Sequence, residues 1–191
     1  MLDSDRSMTG RDAMRKVAII AISALLLSAC GNSEIKSARE FVKSNLKDPD
    51  SAQFKDEKSP SDRIVCGMVN SKNEFGGYSG FIEYAAIHLK DGWSLRLGRD
   101  DKYGLLRKVC NTPIDDLIRT LRYNDTKDEW FAKVYSNSGA SELNSLGLKA
   151  SMSKTGSIYV GPFENVENAE LAAISISVRT GMASSVSQWK F

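Results

Sequence analysis

Ile158-Tyr159-Val160-Gly161-Pro162-Phe163-Glu164-Asn165-Val166-Glu167-Asn168-Ala169-Glu170 is the stretch from which the fold can be read. Up to Val160 apolar and polar positions alternate, as on a strand with one buried face. Gly161-Pro162-Phe163 and a polar turn then lead out of the strand, and an Ala/Glu-rich helical pattern begins. Working outward, the order reads strand (Phe131–Ser136), short helix (Gly139–Leu146), strand (Leu148–Lys154), strand (Ser157–Val160), helix (Val166–Thr180), strand (Ser184–Trp189). That β-α-β-β-α-β order predicts an α+β unit of the split-βαβ kind: four antiparallel strands with both helices on one face. Ala132 and Val134, Ala150 and Met152, Ile158 and Val160 are expected to face the helices. Val166, Ala169, Ala173, Ile176 and Val178 supply much of the covering helix face.

The same alternation assigns the other face. Phe131, Lys133, Tyr135, Lys149, Ser151, Ser153, Tyr159, Ser185, Ser187 and Trp189 point away from the helices. Aromatic planes ringed by hydroxyls and lysines suit sugars, which present apolar C–H faces and many hydroxyl groups. An RNA-recognition sheet stacks bases on a comparable surface. Residues 130–191, however, hold five basic and four acidic groups, too even a balance for a nucleic-acid partner.

The Ile158–Glu170 stretch resembles the second half of the SPOR domain, in which a "V-x-V-G-P-F" strand leads through a polar turn into an Ala-Glu helix start. The resemblance covers roughly the last third of the chain, residues 130–191. It implies a ferredoxin-like split-βαβ fold and binding to denuded peptidoglycan glycan strands, often at division septa. On that basis Lys133, Tyr135, Ser151, Tyr159, Gly161, Ser187 and Trp189 are the candidate glycan contacts. The first half departs from the family pattern: where a "V-Q-V-G-S-F" strand is usual, this chain has Ala132-Lys133-Val134-Tyr135-Ser136-Asn137.

At the other end, Arg15-Lys16 precedes the apolar run Val17–Leu27 and then Ser28-Ala29-Cys30-Gly31. This is a charged n-region, an h-region and small residues before a cleavage site. From Val17 to Ala29 the apolar stretch is well short of the ~20 residues a membrane-spanning helix needs. Leu27-Ser28-Ala29-Cys30 resembles the lipobox of bacterial lipoproteins, which implies a thioether-linked lipid on Cys30 as the first residue of the mature chain. Gly31 and Asn32, rather than Asp, follow the cysteine, and by the sorting rule of that class this implies the outer membrane, facing the periplasm. Residues 1–13 carry three Asp and two Arg, so Met14 is expected to be the true start. Residues 1–29 are thus read as leader and signal peptide, and the mature chain is near +1, leaving lipid rather than charge to hold it to a bilayer.

With Cys30 acylated, Cys66 and Cys110 remain as an even pair in an oxidising compartment and are expected to form a structural disulfide. They lie in a first unit, residues 30–123, read as a small α+β domain. Ser33–Lys47 has helical spacing (Ile35, Ala38, Phe41, Val42, Leu46) and Asp48-Pro49 stops it. From about Arg63 to Leu97 the period is two, punctuated by Gly76-Gly77, Gly80 and Asp91-Gly92, as in an antiparallel meander. Thr112 and Pro113 predict the N-cap and first position of another helix. Asn124–Glu129 is polar throughout and is expected to link the two units. The stretches Asp48–Phe54, Val65–Gly67 and Asn73–Tyr78 resemble a module of small secreted bacterial proteins with no assigned function.

The composition narrows the function further. Of 191 residues, 41% are hydrophobic and 26% charged, the balance of a globular chain, and a net charge of +2 lacks the basic footprint of a nucleic-acid binder. A single histidine, His88, argues against a His-rich metal site and most nucleophilic constellations. His88 reads as a packed or half-exposed strand residue. Gly77-Tyr78-Ser79-Gly80-Phe81 reads as a turn, and Asp100-Asp101 and Asp115-Asp116 diverge as adjacent positions must. The expectation is therefore no enzyme, no metal and no cofactor. The leading reading is an outer-membrane lipoprotein binding peptidoglycan glycan. The alternative is a lipoprotein subunit or adaptor of an envelope complex, with both domains, residues 31–123 among them, binding protein partners.

Overall fold

A computed structural model describes residues 29–124 and 129–189, with the side chains of residues 29–32, Glu129 and Trp189 outside that description. The leader and most of the signal segment likewise lie outside the described residues. The protein is mixed α+β with two antiparallel four-stranded sheets. Helix α1 (Ala29–Ser44) and a 3-10 turn (Pro49–Ser51) lead into β1 (Gln53–Ser61), β2 (Ile64–Asn70), β3 (Ile82–Leu89) and β4 (Gly92–Leu97). Helices α2 (Leu105–Asn111) and α3 (Ile114–Arg119) follow. The remainder is β5 (Glu129–Val134), α4 (Ala140–Ser145), β6 (Ala150–Met152), β7 (Ile158–Phe163), α5 (Val166–Thr180) and β8 (Ser184–Trp189).

The first sheet runs β1-β2-β3-β4 and is buried on both faces. Val65, Val69, Tyr84 and Ala86 pack against Ala38 and Val42 of α1. On the other face Ile64, Cys66, Ala85 and Ile87 join Leu105, Leu106 and Val109 of α2. The second sheet runs β6-β7-β5-β8, with Ala132, Val134, Ile158 and Val160 fully or almost fully buried beneath α5. In α5 every residue from Leu171 to Val178 is buried. A helix that is apolar or small all round has to be enclosed on all sides. It packs on β5, β7 and β8 on one flank and on β3, α2 and α3 on the other. One apolar core therefore extends from Ile64 through α5 to Val160. Polar contacts follow the same seam: Lys108 pairs with Glu167 at 2.6 Å, Arg179 with Asp115 at 3.1 Å, and Lys90 N–H donates to Gly181 O at 2.7 Å. The resulting layers are α1, first sheet, helices, second sheet.

Several expectations need correction. The first helix runs Ala29–Ser44 rather than Ser33–Lys47. Thr112 is not an N-cap: it closes α2 as its C-cap, donating its N–H to Lys108 O, and Pro113 stands at the N-cap of α3. β1 and α2 had no counterpart in the sequence reading. β6 is three residues long, and Met152, opposite Ile158 on the expected side of the sheet, is 53% exposed rather than buried, because it closes a short edge strand paired on one side only. β5 stops at Val134, and β7 continues to Phe163. By contrast α5 and β8 have the expected bounds, and the Cys66–Cys110 disulfide joins β2 to α2 with Cα atoms 6.0 Å apart.

Candidate functional site

Burial of Ala132, Val134, Ile158 and Val160 turns their neighbours to the opposite side of the second sheet. The register then sets them in rows. Ser151 of β6 is opposite Tyr159 of β7, Tyr159 is opposite Lys133 of β5, and Lys133 is opposite Ser185 of β8. Beside this row Phe131 faces Ser187. The Phe131 and Tyr159 rings meet edge to face, with centroids 6.2 Å apart and planes at 85°, an arrangement aromatic quadrupoles favour. Lys133 Nζ lies over the Tyr135 ring, 5.4 Å from its centroid, and the Tyr135 hydroxyl bonds Ser185 Oγ at 2.8 Å. Tyr135, just past the end of β5, is 59% exposed. Ser151 is exposed, while Lys133, Tyr159 and Ser187 are half-buried. A depression of about 460 Å³ between Lys133, Tyr135, Asn137 and the Thr155–Ser157 turn opens at this end of the sheet.

Gly161 has a structural part in addition to the contact expected of it. Here β7 is out of step with β5 between Trp130 and Ala132, and Gly161 takes φ +142°. A Cβ there would stand 2.9 Å from Phe131 Cδ1 and 3.0 Å from Trp130 O. Glycine thus lets the Phe131 ring lie across the strand and seats an aromatic of the face. Trp189 ends β8 opposite Glu129, and its side chain lies outside the described residues, as does that of Cys30 in the first turn of α1.

Sequence reasoning missed Tyr123. Its ring stacks on Phe163 at 5.0 Å, its hydroxyl accepts Lys149 N–H at 3.1 Å, and Lys149 Nζ stands 4.8 Å from the ring centroid. Burial pushes the Tyr123 pKa up, and the Lys149 hydrogen bond opposes that shift. Asn124 N–H donates to Pro162 O and Glu164 N–H to Arg122 O, so the chain ahead of the expected linker is fastened to the exit of β7. An aromatic beside a polar run was the one available signal.

The titratable groups singled out in the sequence each have partners of their own. His88 stacks on Trp93 at 4.6 Å, with Nδ1 3.1 Å from Glu34 Oε1. Asp101 accepts the Leu105 and Leu106 N–H groups at the start of α2. Asp115 and Asp116 turn to different arginines, Arg179 and Arg119. Among the described residues no group of three or more His, Cys, Asp or Glu is placed to hold a metal ion, and no helix is long and apolar enough to cross a membrane. No family model, curated protein or solved structure matches the chain. Among the described side chains the open face offers aromatic planes, hydroxyls and the Lys133 ammonium: groups that stack and hydrogen-bond with a hydroxyl-rich ligand.

Proposed function

We propose that the protein is a lipid-anchored component of the bacterial cell envelope, at the outer membrane and facing the periplasm, that binds peptidoglycan glycan strands through its C-terminal sheet. The observation that carries this reading is the partly exposed row Ser151-Tyr159-Lys133-Ser185 with Phe131 and Tyr135 beside it, on a sheet whose other face packs on α5. The β6-β7-β5-β8 order, antiparallel throughout with β5 and β7 central, supports reading this part as a split-βαβ, SPOR-type unit. The lipobox-like Leu27–Cys30 supports the anchor.

Co-sedimentation of the full-length protein with intact and amidase-denuded sacculi tests the proposal. Wild type is expected to prefer denuded sacculi, and Tyr159→Ala and Lys133→Ala to weaken binding about tenfold, equivalent to about 1.4 kcal/mol. Their melting curves are expected to stay within about 1 kcal/mol of wild type, the scale of one edge-to-face ring contact. Folded variants that bind like wild type would remove the sheet from consideration. In parallel, Cys30→Ala is expected to abolish labelling by a palmitate analogue.

A second reading, an adaptor for an envelope protein, rests on the β2–β3 connection. Phe75 is 88% exposed there, with Tyr78 and Phe81 also exposed. Asn73 Oδ1 accepts the Phe75 and Gly77 N–H groups and holds that turn in shape. Sacculus binding that ignores both sheet variants, together with a co-purifying protein lost in Phe75→Ser, would put this reading first.

A further inference from the structure

A second candidate binding site lies in the seam between the two sheets, away from the open face. Arg96 on β4 is opposite Ala85 of β3 and so shares the face turned toward α2 and α5. There it lines a cavity of about 330 Å³ together with Leu105 and Leu106 of α2 and Glu170 and Ile174 of α5. This volume falls at the lower end of small-ligand sites, about 300–1,000 Å³.

The charges in this cavity differ in how they are used. Asp101 spends both carboxylate oxygens on the first-turn N–H groups of α2, at 2.8 and 2.9 Å. Arg99 and Asp100 lie together at the solvent rim, 3.8 Å apart. Arg96 and Glu170 are left. Both are half-buried, and among the described residues neither makes a hydrogen bond or an ion pair, with the other or with anything else. Burial pulls the Arg96 pKa down, and the fields of Glu170 and Asp101 oppose that shift. Solvent still reaches both groups, so a ligand that displaced this water would have to match a guanidinium with five donors and a carboxylate with two acceptor oxygens. The larger cavity beside the disulfide shows the contrast. Its cations Lys58 and Arg179 already bond Asn111 and Asp115.

We propose that this cavity binds a small zwitterion carrying an α-amino-carboxylate group, its carboxylate on Arg96, its ammonium on Glu170, and an aliphatic side chain against Leu105, Leu106 and Ile174. A lone cation site would leave Arg96 unused, and a lone anion site would set the ligand against Glu170. Only a ligand with both charges satisfies both walls, and the guanidinium offers the carboxylate a bidentate fork. A free amino acid carries both charges on one Cα, whereas a short peptide carries the same two charged groups farther apart, at its two termini.

The test is a titration of the full-length protein followed by amide NMR, with leucine, leucinamide, N-acetylleucine and leucyl-leucine as probes. Leucine or leucyl-leucine is expected to shift β4, α2 and α5 resonances saturably. The tighter of the two identifies the source of the ligand. Leucinamide lacks the carboxylate and N-acetylleucine the ammonium, and each is expected to bind at least tenfold more weakly than leucine. Arg96→Gln and Glu170→Gln are expected to lose binding tenfold or more while keeping wild-type sacculus binding, which separates this site from the sheet. Glu170→Gln at the cavity wall serves as the second variant should Arg96→Gln melt early. The proposal is overturned if neither zwitterion gives a saturable shift, if the blocked analogues bind as well as leucine, or if folded variants bind unchanged.

Discussion

Ser175 sits in the middle of α5, 1% exposed, and among the described residues its Oγ has no hydrogen-bond partner. With the second sheet on one flank and β3, α2 and α3 on the other, no solvent reaches it to replace the missing bond. An orphaned buried hydroxyl costs about 1–3 kcal/mol relative to one left in water. Ser175→Ala removes that cost, and alanine adds a few tenths of a kcal/mol, roughly 0.5 at most, of helix propensity. Against these stands the small void where the oxygen was, about 24 cal/mol per Å³ of residual volume. The net expectation is a gain of about 1.5 kcal/mol, which at this chain length raises Tm by roughly 3–6 °C. Two positions along the helix the sign reverses. Ser177, 7% exposed, bonds Ser184 Oγ at 2.9 Å, so Ser177→Ala is expected to cost about 0.5–1.5 kcal/mol. Paired denaturant and thermal melts of the two variants are the assay, read by far-UV circular dichroism and by tryptophan emission. If Ser175→Ala is neutral or destabilising while Ser177→Ala behaves as expected, the Ser175 hydroxyl has a partner and its site is not dry.

Three other outcomes are predicted. Loss of the Cys66–Cys110 bond, which spans 44 positions, by double Ala substitution is expected to cost about 4 kcal/mol by the chain-entropy account. The midpoint of urea unfolding checks this, and thiol titration of unreduced, denatured wild type should find neither sulfur free. Gly161→Ala places a Cβ against Phe131 and Trp130 O at φ +142°, so a loss of at least about 2 kcal/mol is expected from strain of this kind, together with weaker sacculus binding; a melt at wild-type temperature would show that the turn tolerates side chains. Tyr84 is buried and its hydroxyl donates to Glu57 at 2.7 Å, and burial first, then that bond, raises its pKa above the ordinary 10.0. The stability that neutral Tyr84 contributes is therefore complete below about pH 10 and lost as pH rises toward the folded-state value. Unfolding free energies from pH 8 to 11 are expected to fall in wild type and to stay flatter in Tyr84→Phe.

The sequence by itself determined those features that depend on spacing along the chain. Alternation at Ala132–Val134 and Ile158–Val160 assigned two strands and their faces, because the side-chain period of a strand is two wherever one face is buried. The bounds of α5 were legible because Asn165 and Gly181 punctuate a continuous run of helix-compatible residues; Asn165 accepts the Asn168 N–H, and Gly181 takes the left-handed C-cap at φ 71°. The disulfide was legible because two cysteines leave one pairing once Cys30 is set aside.

Tertiary structure decided the rest. β1 is a charged stretch, Gln53–Ser61, with a positive φ at Asp56 and two breaks of register, so its period was unreadable; it forms because β2 offers an open edge of backbone donors and acceptors. α2 has seven residues, too few to hold alone, and its cap comes from Asp101 across Gly104 rather than from its own N-cap residue. Neither the enclosure of α5 by both sheets nor the approach of Arg96 to Glu170 has a signal in local spacing. Burial on a second flank depends on which distant element arrives there, and a local pattern records only that a residue is small or apolar, not what it will touch.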